Sequence, residues 1–145
     1  MGVPTLRIGS VITAKTELRN EILFKAPTHV GLLAEVSEAL YAAGVNILAI
    51  GSYDKGDMAE FLLLTSDNRL TGEALAPLGG EVGLAPVVVA EVDNRPGTLA
   101  VIARRLADAS VNVAQIHATS TNAPTMTIVL LTTDEAKVIG LLQDL

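Results

Sequence analysis

The sequence predicts an α+β fold built from two tandem copies of one strand–helix–strand–strand–helix–strand unit, each with an antiparallel sheet and both helices on one face. Three observations lead there. The chain repeats itself: Gly31 and Gly97, Leu33-Ala34 and Leu99-Ala100, Leu40 and Leu106, Val45-Asn46 and Val111-Asn112, and Ile50 and Ile116 coincide at one offset of 66 positions. Within each copy the apolar spacing passes from a strand-like run to a helical three-and-four period and back to strands. Half of the 145 residues are apolar and none is cysteine, so the chain can bury a core without disulfides.

Residues 1–20 stand before the repeat, the first unit covers 21–86 and the second 87–145. Each copy opens on a strand, Glu21 to Ala26 and Val87 to Val92. After a turn, Leu33, Val36 and Leu40, and then Leu99, Ile102 and Leu106, mark the inner faces of two amphipathic helices. Glu35 and Glu38, or Arg104, Arg105 and Asp108, take the outer faces. Gly44 ends the first helix in the place that Ser110 holds in the second. Strand pairs follow, Val45–Tyr53 with Met58–Thr65 and Val111–Thr119 with Thr125–Thr132, joined by the turns "DKGD" and "STNA". Short helices come next, at Thr71–Pro77 and Asp134–Leu142. The first copy has a last strand near Glu81–Leu84. The second stops at Leu145 without one, and Thr5–Lys15, which has β-branched content, is expected to supply it in the same chain or in a partner.

Composition narrows the function. The net charge is −6, with scattered basic residues, and aromatic residues make up only 3%, so neither the field nor the stacking platform of a nucleic-acid binder is present. No apolar run approaches the roughly 20 residues of a membrane span, and the start lacks a secretory pattern. A cytoplasmic protein without cofactor, metal, nucleic-acid or membrane partners is expected.

The hexapeptide Asp93-Asn94-Arg95-Pro96-Gly97-Thr98 crowds polar groups, a proline and a glycine into one strand-to-helix junction. Free N–H groups and the positive end of a helix dipole converge at such a place and favour a carboxylate. Asn94 can donate and accept, Asp93 can meet an ammonium, Arg95 can clamp a carboxylate, and Pro96 suits a first helical turn. Asn112 opens the next strand and is expected near the same edge. An α-amino acid matches this set. Each residue also has a purely structural use: Gly31 and Gly97 serve the turn, Asn94 a helix cap, Asn46 and Asn112 local turns, and His29 and His117 solvation or packing.

The stretch "DNRPGTLAVIARRLADASVNVAQI" resembles the ACT domain, a small regulatory module of enzymes of amino-acid metabolism. "APTHVGLLAEVSEALYAAGVNILAI" is similar to a more divergent copy. The resemblance implies two tandem ferredoxin-like βαββαβ units and amino-acid binding at an interface between ACT units, in the loop after the first strand and at the start of the second. It places Asn94, Gly97 and Asn112 on ligand-contacting positions of serine-binding relatives. Val92 stands where those relatives carry histidine. In the first copy Thr28, His29 and Val30 replace Asn94, Arg95 and Pro96, while Gly31 and Asn46 are kept. The expected function is non-catalytic: a regulatory homodimer that binds an amino acid and acts on a metabolic enzyme. Two alternatives stand beside it, an interaction subunit with no small ligand and an acylphosphatase-like hydrolase using Arg95 and Asn112.

Overall fold

The computed structural model describes residues 13–145. In chain order it contains β1 (Thr13–Pro27), α1 (Leu32–Ala42), β2 (Ile47–Lys55), β3 (Met58–Thr65) and α2 (Asn68–Leu75), which runs into a 3-10 turn at Ala76–Leu78. There follow β4 (Glu81–Asp93), α3 (Thr98–Asp108), β5 (Val113–Thr119), β6 (Thr125–Thr132) and α4 (Glu135–Gln143). The described chain divides into two compact units, one of residues 20–85 and one of residues 86–145 together with residues 13–19. The unit boundaries fall inside β1 and β4.

In the first unit the strands stand in the order β2-β3-β1-β4. β1 and β3 are antiparallel, with Ile22 opposite Leu63, Phe24 opposite Phe61 and Ala26 opposite Ala59. Alternate residues of a strand share a face, so these six form one apolar surface. Leu32, Val36 and Leu40 of α1 and Leu75 of α2 close over it. The Phe24 and Phe61 rings pack at 6.0 Å between centroids. The second unit follows the same plan, with the order β5-β6-β4 and the 13–19 part of β1 next to β4. Val88, Ala90 and Val92 oppose Leu130, Ile128 and Met126, and Ile102, Leu106, Val138 and Leu142 cover that face. Lys15 and Glu17 line a shallow depression with Val89 and Glu91, and Gln143 Nε2 donates to Thr16 Oγ1 at 3.3 Å. The architecture is antiparallel α+β with the ferredoxin-like βαββαβ pattern.

Several expectations change. Glu81–Leu84 and Val87–Val92 are one strand, as Pro86 does not interrupt β4. Glu21–Ala26 lies within the longer β1, and residues 5–12 of the expected Thr5–Lys15 strand fall outside the described residues. α2 starts at Asn68, ahead of Thr71, because Asp67 accepts from the Leu70 N–H at 2.9 Å; Asp134 caps α4 in the same way through Lys137 at 3.0 Å. These caps show that the repeat offset grows by one after the second strand, since Asp67 and Asp134 are 67 apart. The first-turn core positions are Leu32, 4% exposed, and Thr98, 0%, while Leu33 and Leu99 are 57% and 42% exposed. Burial follows i, i+4 and i+8 from the residue after the glycine, and this puts Leu33 and Leu99 on the flank of the helix.

Candidate functional site

The two junctions are the same type of turn. Thr98 N–H donates to the Arg95 carbonyl at 3.3 Å and Leu32 N–H to the His29 carbonyl at 3.2 Å, closing four-residue turns. Gly97 (φ 89, ψ −8) and Gly31 (φ 95, ψ −4) hold the third position of each, the left-handed one that a type II turn requires. A side chain at Gly31 would meet nothing within 4 Å, so backbone conformation alone calls for glycine there. Pro96 therefore serves as the second residue of this turn and lies outside the helix. Neither α1 nor α3 receives a side-chain hydrogen bond from its N-cap residue.

Asn94 is not a helix cap; it binds the loop to the turn between β5 and β6. Its Nδ2 donates to the carbonyls of Thr121 at 2.6 Å and Ala123 at 2.8 Å, and its Oδ1 accepts from Ser120 Oγ at 2.7 Å. Its backbone N–H donates to the Pro124 carbonyl at 2.9 Å. Thr28 does the corresponding work in the first unit: its N–H donates to the Asp57 carbonyl at 2.8 Å and its Oγ1 to Asp54 Oδ1 at 2.9 Å. The sequence reading missed these turn partners, although the aligned repeat marks residues 28 and 94 as equivalent.

The remaining candidates are arranged around this tie. Arg95 Nε stands 3.6 Å from Asp93 Oδ2, both partly exposed. Thr98 is sealed in the core, and its Oγ1 has no hydrogen-bond partner. His29 Nε2 lies 3.1 Å from Glu35 Oε2, and its Nδ1 lies 3.2 Å from the Pro27 carbonyl. The bond to Glu35 and then the one to Pro27 raise the His29 pKa above its ordinary value. Asn46 and Asn112 use their backbones alike: Asn46 N–H donates to Ser66 Oγ at 2.9 Å and its carbonyl accepts from Ser66 N–H at 3.0 Å. Asn112 has the same pair with Thr133, at 3.2 and 3.1 Å.

Asn112 is not near the Asn94 loop of its own unit. Asn94 touches residues 120–124, which follow β5, while Asn112 precedes it. Seven strand residues at about 3.3 Å each set the two roughly 20 Å apart. The helix between them gives the same result, because Asn112 follows the C-terminal end of α3 and Asn94 precedes its N-terminal end. The structure thus brings together Asp93, Asn94, Arg95, Pro96 and Gly97, and leaves Asn112 at the opposite end. Arg95 and Asn112 of one unit cannot polarise a single phosphoryl group, which removes the geometry an acylphosphatase-like site needs. Among the described residues no group of three His, Asp or Glu side chains is placed to hold a metal, and no helix is long and apolar enough to cross a membrane.

The turn geometry and the strand order agree with a comparison of the sequence with family profiles. Residues 20–79 match the ACT domain. The match falls on the first unit, and no separate match covers the second. No curated protein sequence matches the chain. Among solved structures, protein BT0572 from Bacteroides thetaiotaomicron is similar with a TM-score of 0.81 at 22% identity, over 89% of each chain. The ligand-free regulatory subunit of aspartate kinase from Thermus thermophilus is similar with a TM-score of 0.68 at 18% identity, over 94% of this chain and 98% of that one. The corresponding subunit from Thermus flavus gives 0.67 at 18%, over 94% and 95%. At such identities the likeness is one of fold, and it extends through both units.

Proposed function

We propose that the protein is a non-catalytic regulatory module whose two ACT-type units bind an amino acid at the loop–helix junction, completed by a unit of a second copy. The observation that carries this reading is the pairing of a rigidly held loop with a helix N-terminus that its N-cap side chain does not occupy. Asn94 holds the loop against the β5–β6 turn, so the first-turn N–H groups of α3 are presented in a fixed direction, suited to a carboxylate. Asp93 and Arg95 supply both signs of charge beside it. Asn112 lies too far away to share a small ligand with the Asn94 loop of its own unit, so its contribution comes from another unit, as the resemblance to ACT pairs implies. Ligand occupancy then acts by favouring one packing of units over another, and a metabolic enzyme is the natural reader.

The test is a thermal-shift screen against the twenty amino acids at millimolar concentration, repeated on Asn112→Ala and Arg95→Gln. One or a few amino acids should raise the melting temperature of the wild type, and the shift should shrink in both variants. Asn94→Ala is a poor probe of ligand contact, because it removes the loop tie before any ligand arrives. If none of the twenty shifts the wild type, the amino-acid reading fails. The interaction-subunit reading is then the stronger, favoured by the exposed Val30 in the turn before α1 and Leu33 and Tyr41 on the helix.

A further inference from the structure

Within the first unit, α2 and the start of β4 enclose a cleft that the second unit builds differently. Its volume is about 620 Å³. Small-molecule sites span roughly 300–1,000 Å³. The floor is apolar: Ile22 of β1 is buried, and Val82 and Leu84, alternate residues on one face of β4, are 40% and 61% exposed. Gly72 stands opposite Val82 in the middle of α2, where glycine weakens a helix relative to alanine. Its φ is not positive, and an added Cβ would come no nearer than 4.0 Å to Val82 Cγ1, so neither the backbone nor the packing requires glycine. The α4 cap, 67 positions after that of α2, sets Ile139 in the place of Gly72, with buried Val138 and Leu142 in the places of buried Thr71 and Leu75. Ile139 packs against the core of its own unit. The second unit fills this position with a side chain and the first leaves it open.

We propose that this cleft binds a small hydrophobic monocarboxylate, its aliphatic or aromatic body on Val82, Leu84 and Ile22 and its carboxylate on Arg69. Arg69 and Glu73 stand one helical turn apart on the exposed rim, where Arg69 Nη1 donates to Glu73 Oε1 at 2.9 Å. Among the described residues Glu73 is the only polar partner of Arg69, so the Nε and Nη2 edge of the guanidinium is left for two parallel bonds to a carboxylate. Asn68, the other side-chain donor of the lining, already donates to the Asn20 carbonyl at 3.0 Å. Glu73 beside the single cation repels a second negative charge, which disfavours dicarboxylates and phosphate esters. In the second unit Ala136 and Gly140 take the places of Arg69 and Glu73, so the open floor and the rim charges both belong to the first unit alone. The cleft uses no residue of either loop–helix junction and stands or falls independently of the amino-acid site.

An NMR titration of the isotope-labelled protein with 4-phenylbutyrate and with its uncharged amide tests the proposal. The acid should give saturable shifts at the Gly72, Val82 and Leu84 amides with roughly millimolar affinity, and the amide should bind about fivefold more weakly. Arg69→Gln should weaken the acid about fivefold and leave the amide unchanged. Gly72→Ile, which installs the residue of the second unit, should abolish binding of both. Gly72→Ala should raise the melting temperature by about 3 °C while weakening both ligands at least about twofold, and it decides the matter if isoleucine is not tolerated. No saturable shift at these amides in the wild type, equal affinity for acid and amide, or a Gly72→Ala variant that binds as well as the wild type would each overturn the proposal. Shifts of the same amides on dilution of the free protein would place a second copy in the cleft instead, and would overturn it too.

Discussion

Asn94→Ala is predicted to destabilise the protein without any ligand present. Three side-chain hydrogen bonds are lost, two from Nδ2 and one to Oδ1. At about 0.5–1.5 kcal/mol net for each, their sum has a ceiling of about 4.5 kcal/mol. The side chain is half-buried, so water replaces part of the loss and about 2 kcal/mol is expected, a fall of roughly 4–8 °C in melting temperature for a chain of this size. Asn94→Asp sharpens the test. The carboxylate still accepts from Ser120 but turns an acceptor toward the carbonyls of Thr121 and Ala123, so it should cost at least as much as alanine. Thr28→Val in the first unit loses only the bond to Asp54 and should cost about 1 kcal/mol or less, because its backbone bond to Asp57 remains. Urea unfolding followed by circular dichroism measures all three. A change below about 0.5 kcal/mol for Asn94→Ala, or an Asn94→Asp variant as stable as the wild type, would refute the reading of Asn94 as the loop tie.

Other positions give independent checks. Among the described residues Ser110 is the only non-glycine with positive φ, at 60°, where the first copy has Gly44 at 71°. Ser110→Gly should therefore stabilise by about 1 kcal/mol and Gly44→Ala should destabilise by a similar amount, both read by urea midpoints. A Cβ at Gly80 would run into the Lys25 carbonyl oxygen and the Phe24 ring, so Gly80→Ala should cost more than about 2 kcal/mol. At neighbouring Gly79 (φ 78), where nothing lies within 4 Å, alanine should cost only about 1 kcal/mol, and equal losses at both sites would contradict the close packing. His29 binds its proton more tightly in the folded state than its ordinary pKa of 6.5 implies, through Glu35 and then Pro27. Its contribution to stability is complete below pH 6.5 and disappears as pH rises through the raised folded value. Glu35→Gln should bring the His29 midpoint in an NMR titration down toward 6.5, and an unmoved midpoint would show that Glu35 is not the cause.

What the sequence by itself determined was the repeat and its element types. β3 and β6 were legible to the residue at Met58–Thr65 and Thr125–Thr132, because each is a dense apolar run bounded by polar turns. The glycines at 31 and 97 were legible for a similar reason: a junction with positive φ admits almost no other residue. The core face of each helix was only partly legible. Leu32 and Leu33 are chemically alike, and the second copy buries a threonine, Thr98, where hydrophobicity points to Leu99. Only the starting point of the helix, set by the turn before it, decides which of two adjacent residues faces the sheet. The role of Asn94 was hidden for another reason: its partners lie 26 to 29 residues away, in a turn whose approach depends on how the β5–β6 pair folds back. The separation of Asn94 from Asn112 was likewise decided by tertiary structure, since proximity along a repeat does not show that a strand and a helix place two residues at opposite ends. Local pattern specifies what each segment is, and long-range packing decides which side chains meet and which are left on the surface for another molecule.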